Sequence, residues 1–376
     1  MKAIGIMSGT SLDGIDICVV NIIENNAEYK YEIDQFKSYP YSEELIKKIK
    51  EASTINLSNV QLICSLNYEI SNAYKNAIDK MISEKLLNMD EIEFIAMHGQ
   101  TIWHNPDYMD GYESSTLQIG EPSVLAYSYN KTVISNFRTM DMAAGGSGAP
   151  LIPFVDYLLY RSKTKNVALQ NIGGIGNVCY LPKNSSEDKI IAFDTGPGNM
   201  LIDGAMRKLY NLPYDNEGKI ASSGIVNQEV LNNLLKDEYL EKPYPKSTGR
   251  EKYNNEFLDY IIEEVLSKTN KKEDVISTIT AYTAYTIVDQ YKRFLSEVDE
   301  MIVSGGGSHN KFIIEILEKE LKLKIKIENN SDAFEAFGFA ILGHMTMLKK
   351  PSNVRSVTGA KHSVILGNVT YPPMKE

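Results

Sequence analysis

The segment Gly5-Ile-Met-Ser-Gly-Thr-Ser-Leu-Asp-Gly-Ile-Asp16 sets hydroxyls, glycines and carboxylates side by side between two apolar runs, residues 3–7 and 15–22. Glycine lets a backbone approach a ligand closely, and bare N–H groups beside Ser8, Thr10 and Ser11 can cradle a phosphate. Asp13 and Asp16 would repel a naked phosphate but suit one accompanied by Mg²⁺. The same stretch also reads as an ordinary hairpin with a polar turn. A second glycine turn occurs at Gly173-Gly174, inside residues 167–181, and again two apolar runs flank it. Asp194-Thr-Gly-Pro-Gly-Asn199 follows a short apolar run, and Ser304-Gly-Gly-Gly307 follows another.

Two phosphate motifs are excluded by their own requirements. Gly9 to Gly14 has the glycine spacing of a Walker A loop, but Ile15 and Asp16 stand where Lys and Ser or Thr are needed. Gly174-Ile-Gly176 begins like a dinucleotide fingerprint, but Cys179 occupies the third glycine position.

The elements that must position these groups follow from periodicity. Residues 3–7 and 15–22 read as a strand pair and 29–37 as a third, half-exposed strand. Residues 42–52 and 59–86 read as helices; in the second, Val60, Ile63, Leu66, Ile70, Ala73, Ala77 and Met81 recur at helical spacing. Residues 92–97 form a short strand that ends in His98-Gly-Gln100, where open α/β sheets place ligands. His98 reads equally as a satisfied core histidine. Residues 117–120 and 132–135 are further strands, and 138–150 a glycine-rich loop that carries Arg138. In the second half, 190–193 is a strand running into Asp194, and 200–209 a helix. Residues 301–303 are a strand, Asn310 caps a helix through Leu321, 324–327 is a last strand and 332–348 a last helix. Each half therefore opens strand, glycine turn, strand, strand and then turns helical, which suggests two related α/β lobes.

The chain has 376 residues, 43% hydrophobic and 23% charged, with net charge −10. That balance supports an ordinary core and argues against nucleic acid as partner. Cys18, Cys64 and Cys179 are odd in number and lie in apolar contexts, which favours a reducing compartment over a disulfide framework. With no membrane-length apolar run and a strand at the N-terminus, the expectation is a cytoplasmic protein without a signal peptide. His104, His309, His344 and His362 show no ligand-like pairing, so no structural zinc is expected.

A glycine turn in each half, Asp194-Thr-Gly at a strand end and a late Ser-Gly-Gly-Gly loop together resemble the actin, sugar-kinase and chaperone ATPase superfamily. Within it, the segments GIMSGTSLDGID, HGQT, LQIGEP, AAGGSGAPLIP, NIGGIGNV, AFDTGPGNMLID, PKSTGRE, SGGGSHN and SVTGA, in this order from Ala3 to about Gly367, resemble the anhydro-N-acetylmuramic acid kinases of bacterial cell-wall recycling. Two positions depart from that pattern: Asp156 stands where His is expected, and Gly176 where Ala is more usual.

The resemblance implies a two-lobed actin-like (ribonuclease H-like) α/β fold. Each lobe would be a mixed sheet flanked by helices beside an interlobe cleft, with residues 1–128 plus 350–376 as one lobe and 129–349 as the other. It implies ATP with Mg²⁺, a small amino sugar as substrate, and a homodimer. Gly9, Thr10, Ser11, Leu12, Asp13, Gly14, Ile15 and Asp16, with Gly173, Gly174 and Asn177, would hold the phosphates, Asp13 serving the metal. Gly305, Gly306, Gly307 and Asn310 would line the adenosine, while also reading as a strand-to-helix turn with its cap. His98, Gln100, Arg138, Lys246 and Arg250 would bind the sugar, while Lys246-Ser-Thr-Gly-Arg250 also reads as a solvated loop. Asp194 is the expected catalytic base, because a carboxylate before a Gly-Pro-Gly turn is rigidly held; it also reads as a turn cap. Glu335 would assist, although Asp332-Ala-Phe-Glu335 reads as a capping box on its own. A nucleotide-driven assembly or switch protein on the same scaffold is the alternative.

Overall fold

The computed structural model describes residues 1–25, 28–108, 111–295, 297–328 and 331–374. Among them the chain forms two α/β units, residues 1–155 with 332–376 and residues 156–331. The first unit's sheet contains β1 (Lys2–Ser8), β2 (Ile15–Asn25), β3 (Glu28–Tyr39), β4 (Ile92–Asn105), β5 (Ser115–Ile119) and β6 (Thr132–Ser135). The second contains β7 (Val167–Ile172), β8 (Ile175–Leu181), β9 (Ile191–Pro197), β10 (Glu300–Ser304) and β11 (Ile325–Ile327), and a final strand, β12 (Asn368–Thr370), returns to the first sheet.

The two sheets share one plan. β3, β2 and β1 are antiparallel neighbours, then β4 runs parallel to β1 and β6 parallel to β4. β9, β8 and β7 are antiparallel neighbours, then β10 runs parallel to β7 and β11 parallel to β10. The repeat read from the glycine turns is thus a repeat of topology, and each unit is the expected mixed sheet flanked by helices.

The central strands are buried on both faces, which is why they read as continuous apolar runs. Helix Val60–Ser83 covers one face of the first sheet with Leu66, Ile70, Tyr74, Ala77, Ile78 and Met81. Val60, expected on that stripe, opens the helix and is 81% exposed. Helix Phe334–Met347 covers the other face, and Gly5 permits it: a Cβ there would overlap the Ala336 carbonyl oxygen. In the second unit, helix Lys272–Phe294 is buried over most of its length and packs against β9 and the helices Asn199–Tyr210 and Lys311–Leu321.

The unit boundaries fall at 155/156 and 331/332, whereas 128/129 and 349/350 were expected. Residues 129–155 stay with the first unit because β6 pairs with β4. Residues 332–349 join it because their helix packs on β1 and β4. Strand β4 also runs past the apolar segment, since β5 pairs with its outer half. His98 and Gln100 accordingly lie inside a strand, as does Asp194, which sits mid-way along β9. Part of the loop 138–150 is helical, Thr139–Ala143.

Candidate active site

In the first unit, residues 9–14 join β1 to β2, and the Leu12 N–H closes the turn on the Gly9 carbonyl (3.3 Å). Thr10, Ser11 and Asp13 are exposed. A side chain at Gly9 would first meet Ser11 Oγ at 3.5 Å, so the space above the turn is open. Leu12 and Ile15 are buried in the core and offer a ligand only their backbone. Gly14 is pressed against the Tyr39 carbonyl and Ser38, with no room for a Cβ. Asp16 is half-buried beneath the turn; burial pushes its carboxyl up, a Ser38 hydrogen bond opposes this, and the charges of Asp332 and Asp13 add to it.

Buried polar groups hold this turn from below. Gln100, fully buried, donates from Nε2 to the Gly9 carbonyl (3.3 Å) and accepts from Tyr41 Oη (3.4 Å). Ser8 Oγ lies 2.6 Å from Tyr74 Oη. Gln100 therefore acts on the turn rather than facing solvent.

His98 is buried, with its ring 4.7 Å from that of Phe339. Its Nε2 accepts from Arg138 Nε at 3.0 Å, which requires the neutral imidazole with its proton on Nδ1. Burial, and then the Arg138 charge, hold the imidazole well below its ordinary pKa. Arg138 Nη1 donates to the Gly148 carbonyl (2.8 Å), and among the described residues Nη2 makes no hydrogen bond. Burial lowers the guanidinium to about 10, opposed by Glu335. The buried Asp141 carboxylate ties this loop down: it accepts from the Gly148 N–H (2.9 Å), Asn353 Nδ2 (2.7 Å) and Thr358 Oγ1 (2.8 Å). Asp141 was not among the expected residues; its signal was an acid within the glycine-rich loop, three positions after Arg138.

Glu335 sits in the first turn of its helix, which begins at Phe334 with Ala333 as N-cap and no side-chain capping bond. A short 3₁₀ turn, Ser331–Ala333, precedes the helix, so Ala333 rather than Asp332 stands at its N-cap. The Glu335 carboxyl opens to solvent, yet the surrounding protein pushes it up, Arg138 pulls it down and Asp16 adds repulsion.

In the second unit, a row of polar residues crosses four strands. Ser304 of β10 is in register with Asn171 of β7, Asn171 with Asn177 of β8, and Asn177 with Asp194 of β9. The Gly173-Gly174 turn stands at the end of β7. Its carbonyls accept the N–H groups of Gly198 (2.9 Å), Asn199 (2.7 Å) and Met200 (3.2 Å), so hairpin and helix start are locked together. Both glycines face open space; a Cβ on Gly174 would meet nothing nearer than Met200 at 3.9 Å.

Asp194 is half-buried. Its Oδ2 accepts from the Thr248 N–H at 2.9 Å, and Oδ1 accepts no hydrogen bond among the described residues. Burial pushes the carboxyl up to about 6; the Thr248 bond opposes this and Glu251 reinforces it. A carboxylate so tuned is ionised near neutrality yet retains more basicity than a solvated one, as a general base requires.

Lys246 and Arg250, both expected to meet the sugar, part ways. Lys246 turns its ammonium onto the carbonyls of Tyr239 and Leu240, among aromatic rings, whereas Arg250 is exposed and makes no hydrogen bond among the described residues. In the late glycine loop Gly305 takes φ +79°, and a Cβ added there would stand 2.5 Å from Asn171 Oδ1. Gly306 is exposed and Gly307 is packed on Ile172. Asn310 is buried and caps helix Lys311–Leu321 through the Ile313 N–H (3.3 Å). Among the described residues no group of three or more His, Cys, Asp or Glu side chains gathers as a metal site.

A family model described as anhydro-N-acetylmuramic acid kinase matches residues 1–372. A protein of that name from Bacillus cereus is 46% identical over 384 residues, covering 100% of both chains. Another from Bacillus thuringiensis subsp. konkukian is 45% identical over 384 residues, again covering 100% of both. Among solved structures, the activator of the 2-hydroxyisocaproyl-CoA dehydratase from Clostridium difficile with bound ADPNP aligns over 91% of this chain and 93% of its own. It has 14% identity and a TM-score of 0.45.

Proposed function

The chain belongs to the anhydro-N-acetylmuramic acid kinase family, and from that membership we propose how its own residues divide the work. The enzyme is an ATP-dependent kinase acting on anhydro-N-acetylmuramic acid. This sugar carries an intramolecular bridge between C1 and O6, so it has no free O6 to phosphorylate until the bridge opens. In the proposed reaction Asp194 takes a proton from water, that water attacks C1, the C1–O6 bond breaks, and the released O6 attacks the γ-phosphate of ATP. The products are N-acetylmuramic acid 6-phosphate and ADP, in keeping with a role in cell-wall recycling.

The observation that carries this reading is Asp194 itself, with one oxygen held by the Thr248 N–H, the other unbonded among the described residues, and its carboxyl raised to about 6. The open turns at Gly9, Thr10, Ser11 and at Gly173, Gly174 offer backbone N–H groups and hydroxyls to phosphate oxygens, as phosphoryl transfer demands. Gly305 and Gly306 present backbone to the adenosine. Arg138, aimed by His98 and with Nη2 available to donate, pairs with a carboxylate of the sugar, and Glu335 assists the base. Arg250 remains a second cation for the sugar, while Gln100 and Asn310 serve as supports.

Asp13 and Asp16 fit Mg²⁺: one is exposed and the other is raised partly by its carboxylate neighbours, so these residues would hold a hard cation that would relieve that repulsion. When bound it would offset charge on the transferring phosphoryl group. Three free cysteines, two of them buried, favour a cytoplasmic setting, and among the described residues no helix is long and apolar enough to cross a membrane. A homodimer is part of the same reading.

The reaction is tested in ¹⁸O-labelled water. Label is expected on C1 of the product, with O6 and the transferred phosphoryl group unlabelled. Label in the phosphate would show ATP being hydrolysed by water and would sink the coupled mechanism. Asp194→Asn should bind both substrates and lose turnover by about three orders of magnitude or more.

A further inference from the structure

Strand β9 is an edge strand of the second sheet: β8 pairs with one side of it, and its other side meets the segment 242–248. The Asp194 N–H donates to the Lys246 carbonyl (3.1 Å), and the Thr248 N–H donates to Asp194 Oδ2 (2.9 Å). Tyr239, in the short helix Glu238–Glu241 just before this segment, donates from its hydroxyl to the Asp194 carbonyl (2.7 Å). The segment, together with Tyr239 just before it, is thus a strap that satisfies the free edge of β9 at Asp194.

Lys246 fastens this strap. Its Nζ donates to the Tyr239 carbonyl (3.1 Å) and the Leu240 carbonyl (3.3 Å). It lies 4.6 Å from the ring centre of Phe294, 4.8 Å from Tyr239 and 5.6 Å from Phe193, the residue beside Asp194. Tyr244 of the strap stacks on Phe193 at 5.8 Å. The bonds close a ring: Lys246 holds Tyr239, Tyr239 holds Asp194, and Asp194 holds Lys246. With two of its three N–H groups on carbonyls and three aromatic rings around it, the ammonium is held by the strap's own surroundings.

We propose that Lys246 is a positioning residue, which pins the strap 242–248 to the edge of β9 and so aims the Asp194 carboxylate through the Thr248 N–H. The proposal rests on the reading of Asp194 as the base. The groups facing Asp194 are Glu251 and Tyr239, and those facing Lys246 are Asp289 and Arg293 of the helix Lys272–Phe294, Asp237, and Lys242. Burial is the largest influence on Asp194 and the Thr248 bond opposes it, so a loosened strap exposes the carboxylate and its proton affinity falls.

The test is steady-state kinetics with Mg-ATP and 1,6-anhydro-N-acetylmuramic acid from pH 5 to 8, with melting temperatures measured in parallel. Wild type is compared with Lys246→Met, Lys246→Arg, Tyr239→Phe and Asp194→Asn. In Lys246→Met, kcat should fall about ten-fold or more while the sugar KM stays near wild type, because orientation is lost and binding is not. Its acidic limb should move below the wild-type position near pH 6, by about one pH unit. Lys246→Arg, which keeps a cation over the rings, should recover part of the loss. Tyr239→Phe should shift both quantities the same way but less, and it decides the matter if Lys246→Met does not fold. A raised sugar KM with kcat and pH profile unchanged would make Lys246 a substrate ligand and overturn the proposal. So would kinetics and a pH profile like wild type. Full activity in Asp194→Asn would instead overturn the reading of the base.

Discussion

Asp156 shows how one buried carboxyl can govern stability. It is 7% exposed, lies against Cys179, and burial pushes it up to about 7, with the Cys179 hydrogen bond opposing. In the unfolded chain it has its ordinary value of 3.8. Between these values the folded protein keeps a proton that the unfolded chain has released. Stability contributed by this site is therefore present below pH 4, is lost as pH rises toward 7, and stays lost above it. The full loss is about 4 kcal/mol at most. Asp156→Asn cannot ionise, so its stability relative to wild type should rise by ~2–4 kcal/mol between pH 5 and pH 8. Urea unfolding at both pH values checks this, and a difference independent of pH would refute it. His98 makes a second case at this scale. Its Nε2 fixes the Arg138 guanidinium, so His98→Gln, which still offers an acceptor, should keep a near-normal sugar KM. His98→Leu should raise it about ten-fold, the effect of one lost charged hydrogen bond. Equal KM values in the two variants would mean that His98 does not aim Arg138. Neither role was legible in the sequence: Arg138 lies forty residues beyond His98, and nothing local shows that the two side chains meet.

Elements were easier to read where the determinants are local. Ser42, Asn59 and Asn310 each cap the helix that the sequence announces, because the cap and the N–H group it receives are three positions apart. The glycine turns were legible for the same reason. Strand ends were not, since they depend on partners: β4 continues to Asn105 because β5 pairs with residues 100–105, and β9 continues past Asp194 through β8. The short strand β12 was missed altogether, as three residues carry no periodicity and are set by β6. The surroundings of Lys246 were hidden for a similar reason, since its aromatic neighbours come from three separate elements. Gly5 of the first strand and Gly9 of its turn separate packing from ligand binding. Gly5→Ala drives a methyl into the Ala336 carbonyl and should cost about 3 kcal/mol as helix Phe334–Met347 is displaced from β1. Gly9→Ala has open space and no positive φ to strain, so the fold should be unchanged while ATP binding weakens. Denaturant midpoints and calorimetric titration with ATP separate the two. Unchanged ATP affinity in Gly9→Ala would show that this turn does not hold the phosphates.

At the scale of the whole molecule, the two units share a strand plan but differ in how the chain closes them. The second unit is continuous, residues 156–331, around its own core. The first needs both ends of the chain, because residues 332–376 supply the helix on β1 and β4, strand β12 on β6, and the Asn353 and Thr358 donors to the buried Asp141. Deleting residues after Ser331 would strip one face of the first sheet and leave Asp141 a buried carboxylate without two of its three donors, a combination that costs more than the marginal stability of a domain. A fragment of residues 152–331, which keeps helix Ile152–Tyr160 whole, should fold cooperatively. With about 0.7 kcal/mol of unfolding enthalpy per residue, its calorimetric transition should carry about 120 kcal/mol. The chain cut after residue 331 should show a transition of about the same size, since only its second unit remains folded, and adding a peptide of residues 332–376 should restore part of the missing enthalpy. If the cut chain instead melts with the full-length enthalpy, the first unit closes without its C-terminal segment, and the helix on β1 is not what holds that sheet together.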